Sequence, residues 1–115
     1  MSMPELTRTT IDKAFDKEAL LPNSGIYILA YMGKVIYVGK ATRVAERLRS
    51  HCATVATKNL AVDDWLQMME WDYVNVRLDI LEVPSNVTDE FSWLKETEAA
   101  CIHKFSPLMN DQLNV

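Results

Sequence analysis

The sequence predicts an α/β fold in which a small three-stranded antiparallel sheet is flanked by helices. Two short apolar runs, each with a Gly/Tyr signature, lie close enough to form a hairpin: Gly25-Ile26-Tyr27 and Tyr37-Val38-Gly39. Both are rich in β-branched and aromatic residues, which suit a pleated, half-buried surface. A third run, Tyr73–Val83, sets Val74, Val76, Leu78 and Ile80 against Asn75, Arg77 and Asp79. That is the period-two pattern of a strand with one buried face. Around these runs, apolar residues recur at helical spacing.

Taken in order, residues 1–9 read as a loose N-terminus. From Thr10, the spacing of Ile11, Ala14, Phe15 and Ala19 predicts a short amphipathic helix over one face of the sheet, ended by Leu21-Pro22-Asn23. In the hairpin, a two-residue loop would put Met32-Gly33 at the corner, where Met suits neither a type I′ nor a type II′ turn. A three-residue loop, Tyr31-Met32-Gly33, puts Gly33 where a left-handed residue is wanted. The expected register then pairs Ala30 with Lys34 and Tyr27 with Tyr37, with both tyrosines on one face.

A helix follows, with Thr42 as the expected N-cap. Lys40, Arg43, Arg47 and His51 recur at spacings of three and four, a cationic stripe beside the apolar Val44, Leu48 and Cys52. A helix that starts beside two tyrosines and carries a cationic edge is a natural phosphate site. Ala53–Ala61 reads as a connection, with Lys58 near the ligand. Asp63 or Asp64 is expected to cap a short helix carrying Trp65, Leu66 and Met69. For Trp65, Met69 and Trp71, helical packing is preferred over a base-stacking platform.

The final helix is expected to start at Thr88 as N-cap, with Asp89 and Glu90 in its first turn. It should run to about Phe105, stopped by Ser106-Pro107. Phe91, Leu94, Cys101, Ile102 and Phe105 form its apolar stripe, and Glu98 falls in the middle of that stripe. A core-facing carboxylate is costly unless it is paired, protonated or bound to a metal. Two readings stay open: an ion pair with an Arg or Lys of the basic helix, or a metal ligand. His103 lies off the stripe, on the surface.

A length of 115 residues predicts one domain, 1–115, and the 49% apolar content suffices for a single core. No stretch has the length of a membrane helix. Two isolated cysteines, Cys52 and Cys101, make no disulfide framework or zinc site, so a reducing, cytoplasmic protein is expected. The net charge of −4 is awkward for nucleic-acid binding. Between Lys34 and Lys58, however, six Lys/Arg face one acid, Glu46, a local balance of +5 that leaves −9 for the rest. A basic patch on an acidic body follows, with Lys40, Arg43, Arg47, Arg49 and Lys58 as candidate nucleic-acid contacts.

On these residues the sequence resembles the GIY-YIG nuclease superfamily, and most nearly in pattern the catalytic domain of the excision-repair incision nuclease. The first half is literal at Gly25–Tyr27. The second is Tyr37-Val38-Gly39, followed by Lys40. The closing segment, Glu98 through Pro107 to Asn110, also resembles the family's, and the likeness runs from about Ser24 to Asn110. It implies a metal-dependent DNA endonuclease, with RNA left open as a substrate. It also implies functional positions at Tyr27, Tyr37, Lys40, Arg47, His51, Glu98 and Asn110, with Mg²⁺ or Mn²⁺ held by Glu98.

A single carboxylate suits a hard cation that keeps much of its water. Arg47 would clamp a phosphate oxygen through its planar fork. The resemblance makes a tyrosine the general base, its pKa of about 10 expected to be lowered by Lys40, Arg47 and the metal. Tyr27 is preferred, with Tyr37 open. Asn110 is expected to hold the site together through hydrogen bonds. The alternatives are a catalytically silent nucleic-acid-binding or adaptor domain on the same scaffold, or an unrelated α/β interaction protein. With no room for a recognition domain, a stand-alone nuclease, a homodimer or a targeting partner protein is expected.

Overall fold

The computed structural model describes residues 5–53 and 60–110. Among them the strands are β1 (Leu6–Thr10), β2 (Gly25–Tyr31), β3 (Lys34–Ala41) and β4 (Arg77–Glu82). The helices are α1 (Ile11–Asp16), α2 (Val44–Cys52), α3 (Leu60–Met68) and α4 (Glu90–Phe105). The sheet has four antiparallel strands, not three, in the order β1-β4-β2-β3.

The extra strand comes from the stretch expected to be loose. Leu6-Thr7-Arg8-Thr9-Thr10 pairs residue for residue with β4, from Leu6↔Leu81 to Thr10↔Arg77. Threonine is β-branched and favours extended backbone. At a sheet edge only part of each side chain is covered, so no apolar alternation announces the strand. Arg8 reaches across to Asp79 at 3.2 Å, and Arg77 meets the same carboxyl at 3.3 Å. These pairs explain how Asp79 lies buried in an interior strand.

β4 is shorter than Tyr73–Val83. Its expected first residues form a turn instead, with Asn75 N–H donating to Asp72 O at 2.9 Å, and Val74 is 58% exposed. Val76, Leu78 and Ile80 are buried as expected, but Asp79 is buried too, so β4 does not present one buried and one solvent face.

β2 is buried along nearly its whole length because both sheet faces are covered. On one face Tyr27, Leu29, Tyr37, Leu78 and Ile80 pack with Ile11 and Ala14 of α1, Val44 and Leu48 of α2, and Val62 and Leu66 of α3. On the other, Ile26, Ile28 and Val38 meet Leu94, Cys101 and Ile102 of α4.

The hairpin corner is the two-residue loop, not the expected three-residue one. Tyr31 pairs with Lys34, and Met32 (φ 51°) and Gly33 (φ 80°) both take left-handed conformations, the requirement of a type I′ turn. Taken alone, that register would set Tyr27 and Tyr37 on opposite faces. A bulge restores them. Pairing shifts between Leu29 and Ala30, so Ala30 faces Val35 while Leu29 faces Tyr37. Tyr27 then pairs with Gly39, one step diagonal to Tyr37. The loop and the register were wrong; the shared face stands.

Helix ends also differ from expectation. Arg43, not Thr42, is the N-cap of α2, without a side-chain cap. Asp89, not Thr88, caps α4, accepting from Ser92 N–H at 3.1 Å. α4 does end at Phe105, on a left-handed Ser106. Phe91 and Phe105 fall on its exposed flank, and the seated stripe is Leu94, Cys101 and Ile102. Lys40 lies on β3 and Arg43 precedes α2, so the expected cationic stripe is helical only at Arg47 and His51.

Candidate active site

Two glycines let the hairpin carry its aromatic cargo. A Cβ at Gly25 would strike the Leu81 carbonyl of β4, so this position needs backbone at van der Waals range. A Cβ at Gly39 would lie 2.8 Å from Cε1 of Tyr27 and nearer still to its Cζ and Oη. The bare glycine therefore lets the Tyr27 ring lie across β3, the edge strand. Tyr37 sits beside it, with ring centroids 6.0 Å apart.

Tyr27 Oη is 2.7 Å from His51 Nε2, and His51 Nδ1 is 2.6 Å from Asp63 Oδ1. His51 and Asp63 are each 2% exposed. A phenol, an imidazole and a carboxylate thus form one buried chain contributed by β2, α2 and α3. Asp63, or else Asp64, is expected to cap a helix. Asp63 is instead inside α3, which begins at Leu60. Val62, Asp63 and Leu66 share the buried face of that helix, so the periodicity that picked out Glu98 marks Asp63 too, once the helix start is known.

On the other side of β3, Lys40 Nζ meets Glu98 Oε1 at 3.1 Å. The ion-pair reading of Glu98 therefore holds in part, with Lys40 as the partner and from β3 rather than the helix. The pair is not dry: the Lys40 side chain is 39% exposed and that of Glu98 15%. Both line a hollow of about 540 Å³ with Lys95, Ala99, Ile102, His103 and Ser106. His103 is exposed there, as expected. A second hollow, of about 250 Å³, is lined by Ala41, Thr42, Arg43, Glu46, Arg47 and Ser50. Adjacent residues of β3, Lys40 and Ala41, thus contribute to one hollow each.

Asn110 is fully buried and pins the edge of β3. Its amide donates to Val38 O and accepts from Val38 N–H, both at 2.9 Å. Met109 N–H continues the ladder to Ile36 O at 2.9 Å. The exposed edge that strands must protect is closed here by the C-terminal segment.

The remaining candidates scatter. Arg47 is exposed, close enough for its charge to act on Tyr27 and His51. Arg43 pairs with Glu46 at 3.5 Å and Arg49 with Glu18 at 2.5 Å, so Arg49 is directed toward the turn before β2. Lys58 lies outside the described residues. Trp65 packs edge-on against Tyr31 and Met69 joins the core, as preferred, whereas Trp71 is 92% exposed.

Burial pushes the Tyr27 phenol well above its ordinary value near 10, reinforced by Tyr37 and by the charge of Glu98, with Arg47 pulling the other way. Among the protein's own groups desolvation outweighs the nearby Arg47; the lowering expected from a bound metal is a separate effect. Burial also lowers the pKa of His51, against the hydrogen bond and charge of Asp63, and Arg47 lowers it further.

No group of three or more His, Cys, Asp or Glu side chains gathers among the described residues, so the site is not a protein cage for a metal. It does fit a cation that relies on one carboxylate, water and substrate oxygens. Glu98, at the rim of an open hollow, is the residue with that character.

The GIY-YIG catalytic domain family matches residues 23–110. Among solved structures, the chain resembles the GIY-YIG N-terminal endonuclease domain of UvrC from Thermotoga maritima bound to its catalytic magnesium. Identity is 26%, the TM-score 0.58, and the alignment covers 86% of this chain and 97% of that one. A point mutant of the same domain, with Ala replacing an Asn, aligns at 25% identity and TM-score 0.57, covering 85% of this chain and 94% of that one. Comparison with curated proteins returns no match.

Proposed function

Because the chain belongs to the GIY-YIG catalytic-domain family, we propose that it is a metal-dependent endonuclease that hydrolyses DNA phosphodiester bonds at the end of β3. One observation carries this reading. The hydrogen-bonded Tyr27–His51 pair is laid over Gly39, and the next residue, Lys40, holds Glu98 at the rim of an open hollow.

Hydrolysis needs a proton removed from water and negative charge stabilised on phosphate. Tyr27 is a poor base by itself, since forming its buried phenolate is costly. It becomes a competent one if it hands its own proton on. In the proposed step a water O–H bond breaks and that proton passes to Tyr27 Oη, directly or through Tyr37. The Tyr27 hydroxyl proton moves to His51 Nε2, the water oxygen bonds to phosphorus, and the P–O3′ bond breaks. The departing O3′ oxyanion takes a proton from solvent, and the buried His51 sheds its own back through Tyr27 after the step. Arg47, exposed beside the second hollow, is suited to grip a non-bridging oxygen. A divalent cation held by Glu98 would supply charge neutralisation at the phosphate and the departing oxygen. The resident magnesium of the UvrC domain supports that cofactor. Asn110 keeps Val38, and with it the Tyr37–Lys40 stretch, in place.

The Lys40–Glu98 pair favours a second reading, a catalytically silent nucleic-acid-binding or adaptor domain whose acid is neutralised by a neighbour. Nicking of supercoiled plasmid with Mg²⁺ or Mn²⁺ separates the two. The nuclease reading predicts nicking by the wild type and none by Glu98→Ala. Salt-sensitive DNA binding without nicking supports the silent domain.

A further inference from the structure

We propose that Asp63 is a positioning residue that fixes the tautomer of His51, keeping its proton on Nδ1 so that Nε2 stands as an acceptor for the Tyr27 hydroxyl. This rests on the proposed nuclease reading for its consequence in turnover, but not for the tautomer itself.

A carboxylate only accepts hydrogen bonds, so the 2.6 Å contact from Asp63 Oδ1 requires a proton on Nδ1. In a neutral imidazole the other nitrogen then has only a lone pair. The partner of that lone pair, 2.7 Å away, is a phenol that can donate. Burial makes the arrangement binding. With both His51 and Asp63 2% exposed, water has little access to substitute for either bond. Three elements are locked by this chain, and the acceptor it offers the Tyr27 hydroxyl, which also hydrogen-bonds Tyr37, is His51 Nε2.

Among the described residues, the charged and titratable groups that act on His51 are Tyr27 of β2, Tyr37 of β3, Arg47 of α2 and Asp63 of α3. Arg47 and burial favour the neutral ring, while Asp63 favours the proton. Asp63 thus also makes Nε2 a stronger acceptor than burial alone would leave it.

The test is ¹⁵N NMR of the His51 ring in the full chain, assigned against His103→Gln, since the chain has two histidines. At pH above the histidine range, the wild type should show a pyrrole-like Nδ1 and a pyridine-like Nε2. In Asp63→Asn the side-chain amide can either accept or donate, so the fixed pattern should give way to a mixture or to the Nε2–H form. In plasmid nicking, Asp63→Asn should lower the plateau rate on the order of 10²-fold. It should also move the acidic limb of the pH–rate profile to lower pH, because a charge that raised the His51 pKa is gone. A wild-type ring protonated on Nε2, or an unchanged tautomer in Asp63→Asn, overturns the proposal. So does a rate loss equal at every pH, which marks a merely structural role. If neither protein nicks DNA, the nuclease reading fails while the NMR result still decides the tautomer. Should Asp63→Asn not fold, the wild-type spectrum decides alone.

Discussion

Replacing Gly39 with alanine puts one methyl group where the Tyr27 ring now lies, and the size of the consequence follows from the contacts. The added Cβ would stand 2.8 Å from Cε1, against an ordinary contact of 3.4–4 Å, and closer still to Cζ and Oη. The ring must therefore move off β3 by about 1 Å, and a fully packed core resists, at a cost of about 1–3 kcal/mol. The displaced atoms are the hydroxyl end of the ring, so the 2.7 Å bond to His51 breaks or lengthens beyond useful range. A shift of that size in a reacting group costs on the order of 10²-fold in rate. Single-turnover plasmid nicking with Mg²⁺, beside thermal unfolding of the same protein, measures both effects. A Gly39→Ala protein that unfolds earlier yet nicks at the wild-type rate refutes the role given to Tyr27. One unchanged in both refutes the packing argument itself.

Three more expectations follow from other contacts. Asn110→Ala leaves the Val38 N–H and C=O without their side-chain partners, which should cost about 1–3 kcal/mol for each group that stays buried, read as a lower denaturation midpoint. Lys40→Met frees the Glu98 carboxylate from its 3.1 Å partner. Mn²⁺ titration should then show tighter binding than wild type while nicking slows, and weaker binding would mean that Lys40 helps to build the metal position. Stability should depend on pH through His51. Its folded pKa lies below the unfolded value of about 6.5, so the unfolded chain binds more protons in the interval between them. The contribution is complete above the unfolded value and is lost as pH falls through that interval. Urea midpoints across this range should show a drop that His51→Gln removes.

How far the sequence could be read depended on whether a signal was local. Glu98 was legible because helical periodicity alone put a carboxylate on the buried side of α4. The paired tyrosines were legible as a shared face but not as a register. The left-handed penalty for Met32, about 1–2 kcal/mol, argued against the true turn, and the sheet as a whole outweighs it. The bulge between Leu29 and Ala30 that then realigns Tyr37 has no local sign. β1 was invisible because a threonine-rich edge strand lacks an apolar stripe. Asp63 was missed through a helix boundary only a few residues off, the least certain feature of any sequence reading. The upward push of burial on the Tyr27 phenol is hidden from the sequence for a different reason. The cations near it can be counted in the sequence, but the depth of its burial cannot, and burial won.

The claim that these pieces make one site is tested most directly by anomalous scattering from crystals soaked in Mn²⁺. A peak is expected at the Glu98 carboxylate, with the Lys40 ammonium moved aside and the Tyr27–His51–Asp63 chain intact. A peak remote from Glu98, or an undisturbed Lys40–Glu98 pair at Mn²⁺ concentrations that saturate nicking, would contradict it.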